Sequence, residues 1–246
     1  MTAPDVRLGL CGWTIDAETY YREFRLLEVQ QTFYQPPEDA TLVRWRRRAP
    51  PGFEFTLKAW QLVTHDPSSP TYRRLRHAPP DVDLSEAGSF RWTPVVQAAW
   101  ARTLECTRLL RATAILLQCP RSFRPSTDNV ARLRCFAGEA ERPAGVRLLW
   151  EPRGPWDPAL VADLCAELDL VHVVDPLVTA PADPDTVYFR LHGVTGARHV
   201  HTDAELERVA AMLPRAGGPA YVLFNNLPRV GDARRFRALI AATPAG

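Results

Sequence analysis

Lys58 is the single lysine among the 30 lysine and arginine residues of this chain. It ends the apolar segment Phe53–Lys58, and Glu54 and Thr56 share its face if the segment is a strand. A buried lysine can lose its proton and then acts as a base or a nucleophile, whereas arginine stays charged and planar. We therefore predict that Lys58 is a catalytic residue. The alternative is a lysine that survived a compositional bias toward arginine.

Polar side chains end most of the other apolar segments as well. Alternation places them opposite the apolar face of each segment. In a barrel they would point inward at the carboxyl ends of the strands, where barrel enzymes have their catalytic groups. Beside Lys58, the predicted cluster contains Glu28, Gln118, Glu151, Asp175, Arg190, His192 and one of Asn225 and Asn226, between which alternation does not decide.

The cluster suits acid–base chemistry on a small, polar and anionic molecule. Lys58 is predicted to be a general base or an electrostatic stabiliser, and a Schiff-base role stays open. Glu151 and His192 are its predicted acid–base partners. Glu28 is the other carboxylate that could pair with the amine.

The remaining polar residues are predicted to bind the substrate. Arg190 and Arg153 have the planar fork that holds an anion or a phosphate, and Gln118 and Asn225 are orienting amides. The alternative interpretation of the whole cluster is a structural ion-pair network inside the barrel. Aromatic residues near the strand ends either stack on a flat ligand or pack beneath a loop, and these are Trp13, Phe33, Tyr34 and Trp60.

A divalent metal is possible but not favoured, and no other cofactor is predicted. Carboxylate and imidazole ligands would suit Mg²⁺ or Mn²⁺, but Lys58 and Arg190 in the same space would repel a dication. The candidate ligands are Glu28, Glu151, Asp175 and His192, with His199 and His201 as a second possibility in a loop.

Eight apolar segments alternate with segments of helical periodicity, which predicts parallel strands joined by right-handed crossovers. This pattern in a single domain of residues 1–246 predicts a (β/α)₈ barrel. An open doubly wound sheet is less consistent, since no Gly-x-Gly-x-x-Gly follows the first strand. The predicted strands are Arg7–Gly12, Leu26–Gln31, Phe53–Lys58, Ala114–Cys119, Arg147–Glu151, Val171–Asp175, Val187–His192 and Ala220–Asn225.

The predicted helices are Thr41–Arg48, Pro94–Leu110, Thr127–Ala140, Pro158–Leu168, Asp203–Leu213 and Asp232–Ala242. The helix at Asp203 has Thr202 as N-cap and Glu205 three residues on, which indicates a capping box. The long segment His65–Arg91 follows the third strand without clear periodicity, so it is predicted to be an excursion over the catalytic face and a possible lid.

Composition indicates a globular protein with a small-molecule ligand. The net charge is +2 and 46% of residues are apolar, which does not favour a protein that coats nucleic acid. Five cysteines without a Cys-x-x-Cys pair, no recognisable signal peptide and no apolar span predict a cytoplasmic location. The competing hypothesis is a non-catalytic module that binds a nucleotide or single-stranded nucleic acid with its aromatic and arginine residues.

Seven short blocks, in order, resemble the domain-of-unknown-function 72 family, also called YecE-like. They are Gly9–Trp13, Glu28–Tyr34, Leu57–Ala59 followed by Thr64-His65, Gln118–Phe123, Glu151–Arg153 before Trp156, Tyr188–Gly193, and Phe224–Asn226. The resemblance implies a barrel and adds His65 to the predicted substrate-binding residues. It implies no particular reaction.

The chain departs from the family pattern at three places. Gln30-Gln31 replaces an Asn-Ser pair, Gly154 stands where the family has histidine, and Arg198–His201 replaces a tyrosine-rich segment. If the missing histidine carries a proton elsewhere in the family, this member must use another group or have lost activity.

Overall fold

Eight parallel strands pair in sequence order and close into a barrel, so the predicted fold is confirmed. The structure is a computed structural model that describes residues 5–214 and 218–242. The strands are β1 (Val6–Cys11), β2 (Leu26–Val29), β3 (Glu54–Lys58), β4 (Ala114–Gln118), β5 (Arg147–Glu151), β6 (Val171–Val174), β7 (Tyr188–Leu191) and β8 (Ala220–Phe224).

All six predicted helices are present, with ends shifted by up to three residues, and three short helices were not predicted. The helices of the described part are α1 (Ala17–Glu23), α2 (Gln31–Tyr34), α3 (Asp39–Arg48), α4 (Gln61–Thr64), α5 (Pro94–Leu110), α6 (Thr127–Glu139), α7 (Pro158–Leu168), α8 (Asp203–Ala211) and α9 (Arg229–Ala242). The unpredicted α1, α2 and α4 are too short to show helical periodicity.

The end of the second strand was predicted wrongly. β2 ends at Val29, Gln30 has helical dihedral angles (φ −88°, ψ −24°) and Gln31 begins α2. Gln30 is therefore not an inward-facing strand residue. The helix starts early because Thr32 turns back on the strand, and its hydroxyl donates to the carbonyl oxygen of Val29 at 3.0 Å.

Local capping explains where the longer helices begin. Thr202 and Glu205 form the predicted capping box at the start of α8. The carboxylate of Asp157 accepts from the backbone N–H groups of Ala159 and Leu160, the first of which follows the proline that opens α7.

The chain divides into two compact units by its internal contacts. We call residues 29–170 the central unit, and residues 1–28 with 171–246 the terminal unit. Apolar residues of both are buried along the strands, for example Phe55 and Leu57 of β3, and Phe189 and Leu191 of β7. No helix in the described ranges has the length and hydropathy to span a bilayer.

The predicted excursion after β3 is present and its two ends are fastened together. Residues 65–93 contain two 3₁₀ turns, Pro70–Arg74 and Leu84–Glu86, and neither strand nor α-helix. The carboxylate of Asp66 accepts from Arg91 at 2.8 Å and from Ser89 at 3.0 Å. The N–H of Gly88 donates to the carbonyl oxygen of Leu62 at 2.7 Å. Whether the excursion moves as a lid stays a prediction.

Gly9 lies where β1 approaches β2 too closely for a side chain. A Cβ at this position would lie 2.2 Å from the carbonyl oxygen of Leu26. We expect Gly9→Ala to lower the free energy of unfolding by about 3 kcal/mol, the upper end of overpacking costs. Gly138→Ala in α6 is the control: nothing lies within 4 Å of its Cβ, so stability should rise by up to about 1 kcal/mol. Urea denaturation measures both, and equal effects would contradict the close approach.

Candidate functional site

Lys58 is buried at the carboxyl end of β3, with 4% of its surface exposed. Its Nζ lies 3.7 Å from the centroid of the Phe33 ring in α2. The hydroxyl of Thr32 donates to the Lys58 carbonyl oxygen at 2.7 Å, which fastens α2 to the end of the strand. A desolvated cation–π contact contributes about 2 kcal/mol. The structure thus supplies the ammonium with a rigid aromatic support.

His65 shares the same aromatic ring and is neutral. The imidazole packs edge-to-face against Phe33, with centroids 4.8 Å apart, and its Nδ1 lies 2.8 Å from the Thr64 hydroxyl. Burial lowers the pKa of His65 to about 3, and the positive charges of Lys58 and Arg153 add to the effect. At neutral pH the imidazole is therefore an uncharged donor and acceptor beside fixed cations.

The depressed pKa of His65 makes stability depend on pH. In the unfolded chain a histidine takes up a proton near pH 6.5, whereas folded His65 does so only near pH 3. Between these pH values the unfolded state binds more protons than the folded state. The free energy of unfolding therefore decreases as pH falls from about 6.5 toward 3, by up to about 1.4 kcal/mol per pH unit. His65→Gln should therefore flatten the decline of the unfolding free energy measured by urea denaturation from pH 7 to 4.

His77→Gln is the matched control, because His77 is an exposed histidine of the same excursion. Its pH dependence should remain that of the parent protein. If His65→Gln declined as steeply as the parent, His65 would not be the buried neutral group that its surroundings indicate.

Glu151 and Arg153 form an ion pair beyond the end of β5. Glu151 is 6% exposed, and its Oε1 accepts from Arg153 Nε at 2.9 Å and from the terminal NH2 nitrogen at 2.7 Å. Gln118, the last residue of β4, is the register partner of Glu151 and is half-buried. Arg153 thus orients the carboxylate and contributes to the low pKa of His65.

Tyr34 carries a second cation on its ring. It follows Phe33 in α2, and the two rings meet edge-to-face with centroids 4.9 Å apart. The guanidinium carbon of Arg74 lies 3.4 Å from the Tyr34 centroid. The sequence left open whether this ring stacks on a flat ligand or packs beneath a loop, and the ring lies against an arginine of the excursion.

Gly154 replaces the family histidine at a position without room for a side chain. A Cβ there would lie 2.8 Å from the carbonyl oxygen of Phe123 and 3.2 Å from Nε1 of Trp156. The same indole N–H donates to that carbonyl at 3.0 Å. A histidine at this position would have to displace this packing.

In the terminal unit, Glu28 and Arg190 form an ion pair in which neither side chain is exposed. Glu28 Oε1 accepts from an Arg190 NH2 group at 2.9 Å, and Oε2 accepts from the Tyr188 hydroxyl at 2.9 Å. Burial and the adjacent Glu28 charge raise the pKa of the Cys11 thiol well above its usual range. Substrate could reach this pair only by displacing the groups that cover it, so its predicted contact with substrate stays a prediction.

His192 lies just beyond β7 and is partly exposed. Its backbone N–H donates to Asp175 Oδ2 at 2.8 Å, and its Nε2 lies 3.5 Å from an Arg190 nitrogen.

Asn225 follows β8 and is half-buried, whereas Asn226 is fully buried. Trp13 packs edge-to-face on Tyr20 and Tyr21 of α1.

The loop histidines belong to hydrogen-bond networks, which are buried at His201 and partly exposed at His199. His201 Nδ1 lies 2.8 Å from Asp232 Oδ2, which also accepts from the amide of Asn226 at 2.6 Å. His199 Nε2 lies 2.9 Å from Glu205 Oε2. Within residues 5–214 and 218–242, no group of three or more His, Cys, Asp and Glu side chains is arranged to hold a metal ion.

The predicted residues thus fall into one group in each unit. In the central unit, Lys58 and His65 both contact the Phe33 ring. Arg153 forms an ion pair with Glu151, and its charge adds to the low pKa of His65. In the terminal unit, Arg190 connects Glu28 to His192. Sequence reasoning named Phe33 only as an aromatic residue that either stacks on a ligand or packs beneath a loop, and it did not identify Arg74. The catalytic and binding roles of these residues stay predictions.

Comparison with known proteins places the chain among proteins of known fold. The family model described as "Protein of unknown function DUF72" matches residues 16–245. A DUF72 family protein of Enterococcus faecalis V583 is 19% identical, with 98% of this chain and 99% of that chain covered and a TM-score of 0.72. One from Thermotoga maritima MSB8 is also 19% identical, with 96% and 99% covered and a TM-score of 0.67.

A xylose isomerase domain containing protein of Salmonella typhimurium LT2 is 12% identical, with 98% of this chain and 99% of that chain covered and a TM-score of 0.63. At these identities the likeness shows the fold alone. No curated protein matches the chain.

Proposed function

Because the chain belongs to the DUF72 family of proteins of unknown function, for which fold alone names no reaction, we propose from its side chains that it is an enzyme acting on a small organic anion. The observation that carries the proposal is the buried ammonium of Lys58 on the Phe33 ring beside a neutral His65. The site lies at the carboxyl ends of β3 and β5, the end where barrel enzymes bind their substrates.

Lys58 is the electrostatic centre of the proposed site. Its positive charge lowers the pKa of His65, and the Phe33 face stabilises the charged ammonium over the free amine. A fixed cation in a site that excludes water stabilises negative charge that develops on a substrate oxygen. We therefore favour electrostatic stabilisation by Lys58 over the roles of base and imine-forming nucleophile.

In this proposal Glu151 accepts a proton from the substrate and His65 donates a hydrogen bond to it. Arg153 contacts Oε1 of Glu151 and holds the carboxylate in one orientation, and this carboxylate is the group assigned to accept a proton. Neutral His65 can donate a hydrogen bond to the same substrate. Chemistry of this type includes proton abstraction beside a carbonyl group, in which an oxygen gains negative charge.

A melting-temperature screen tests the proposal. Small carboxylates and phosphorylated metabolites should raise the melting temperature, and tighter ligands should raise it more at the same concentration, since a ligand at 100 times its Kd stabilises the folded state by about 2.7 kcal/mol. Neutral analogues of the same size should have no effect.

Two results would overturn the proposal. The first is a screen in which no small anion stabilises the protein. The second is tight binding of single-stranded oligonucleotides that falls steeply with salt, because that would indicate a nucleic-acid-binding module.

A further inference from the structure

Arg74 is an exposed arginine whose guanidinium carbon lies over an aromatic ring. Arg74 is the last residue of the first 3₁₀ turn of the excursion, and its guanidinium carbon lies 3.4 Å from the centroid of the Tyr34 ring. Among residues 5–214 and 218–242 this stacking is the only contact recorded for the guanidinium, so its N–H groups bind no acceptor there. A guanidinium that stacks on a ring keeps its planar set of N–H donors.

Lys58 and Arg74 each lie over one of two neighbouring aromatic rings, Phe33 and Tyr34. Lys58 Nζ lies 3.7 Å from the Phe33 centroid, the two ring centroids are 4.9 Å apart, and Arg74 lies 3.4 Å from the second. The ammonium and the guanidinium are therefore separated by a distance that a small organic molecule can span. Each cation lies against one ring of the same aromatic pair.

Packing of the excursion alone does not require the Arg74 stack. The excursion is already attached next to α2, because Gln35 Oε1 accepts from the backbone N–H groups of Arg76 at 2.9 Å and His77 at 3.0 Å. Arg73 and Arg76 are also exposed, yet within the described residues neither side chain stacks on a ring. Arg74 is the one whose orientation is fixed.

We propose that Arg74 is the outer anion-binding residue of the Lys58 site and that its ligand is a small organic dianion, with one acidic group on each cation. This inference rests on the proposed function. Guanidinium binds carboxylate and phosphate through two parallel hydrogen bonds. Stacking on Tyr34 removes side-chain freedom before the ligand arrives, so less entropy is lost on binding. Tyr34 is accordingly a positioning residue.

Calorimetric titration with α,ω-dicarboxylates of increasing chain length tests the proposal, with monocarboxylates of matching length as the reference. The parent protein should bind one dicarboxylate length best, and at least 10-fold more tightly than its monocarboxylate. Arg74→Met should remove this preference and leave monocarboxylate affinity unchanged. Tyr34→Leu, which keeps the arginine but removes its support, should weaken the preference, and Tyr34→Phe should retain it.

Arg73→Met is the control for general charge loss and should bind like the parent protein. If the parent binds mono- and dicarboxylates alike, or if Arg73→Met loses the preference as Arg74→Met does, the inference is wrong while the proposed anion-binding function stands. If no dicarboxylate binds, the inference is wrong, and if no phosphorylated metabolite of the screen binds either, the proposed function is wrong as well.

Discussion

Replacing Lys58 by arginine should abolish binding of the small anion while the protein stays folded. Lys58 is 4% exposed and its ammonium lies against the Phe33 ring. A planar guanidinium cannot occupy the space of this compact ammonium. Hydrogen bonds to charged groups contribute about 1.5–3 kcal/mol, so we expect affinity to fall at least 10-fold and turnover to disappear. Calorimetry with the best anion from the screen measures the affinity.

Two further variants separate the role of Lys58 from general effects. Lys58→Met keeps the length of the side chain and removes its charge, and it should lose affinity like Lys58→Arg. Arg48→Met removes an exposed cation at the end of α3 and should leave affinity unchanged. Circular dichroism and urea denaturation establish that each variant is folded. Full anion binding by a folded Lys58→Arg protein would refute the role given to the lysine.

Arg190→Met should lower the free energy of unfolding by about 3–5 kcal/mol, because it leaves a charged group buried without its counter-ion. The carboxylate of Glu28 has no exposed surface and would retain only the Tyr188 hydroxyl among the two donors described above. Glu28→Gln should be destabilising for the reciprocal reason. The double variant Glu28→Leu with Arg190→Met should recover much of the loss, since well-packed apolar residues can replace a buried pair.

Arg134→Met is the matched control for this prediction. Arg134 and Glu167 form an ion pair with two hydrogen bonds, at 2.6 and 2.7 Å, but their side chains are 49% and 44% exposed. Its removal should cost no more than about 1 kcal/mol. Urea denaturation of all four variants decides the matter: equal losses at the buried and exposed pairs would show that burial does not set the importance of Arg190.

The barrel could be predicted because its signals are local. Alternation in Phe53–Lys58 placed Lys58 at the end of β3 on the face opposite Phe55 and Leu57, and both apolar residues are fully buried. The alternation of strand and helix then fixed the topology. The ends of elements were less certain, because a four-residue helix such as α2 has no periodicity and its start depends on a hydrogen bond made by Thr32.

The arrangement of the candidate site could be predicted only in part. Strand alternation identified Lys58, Glu151 and Glu28, but it could not pair them, because pairing depends on loops that no sequence period describes. Arg153 was predicted because a planar guanidinium can hold an anion. Its two hydrogen bonds with Glu151 became visible only in the structure. The stack of Arg74 on Tyr34 joins residues 40 positions apart through an irregular excursion, so it had no signal in the sequence.

The fastening of the excursion has a consequence for how this barrel can diversify. Asp66 binds Ser89 and Arg91, and Gly88 binds Leu62, so the chain leaves and re-enters the barrel wall at one fixed point. Changes in the length of the chain between these contacts should therefore leave the two ends of the excursion fastened. Lengthening such a closed loop costs little, about 0.6 kcal/mol for each doubling. We expect the excursion to be the part of this barrel that accepts insertions at the lowest cost in stability.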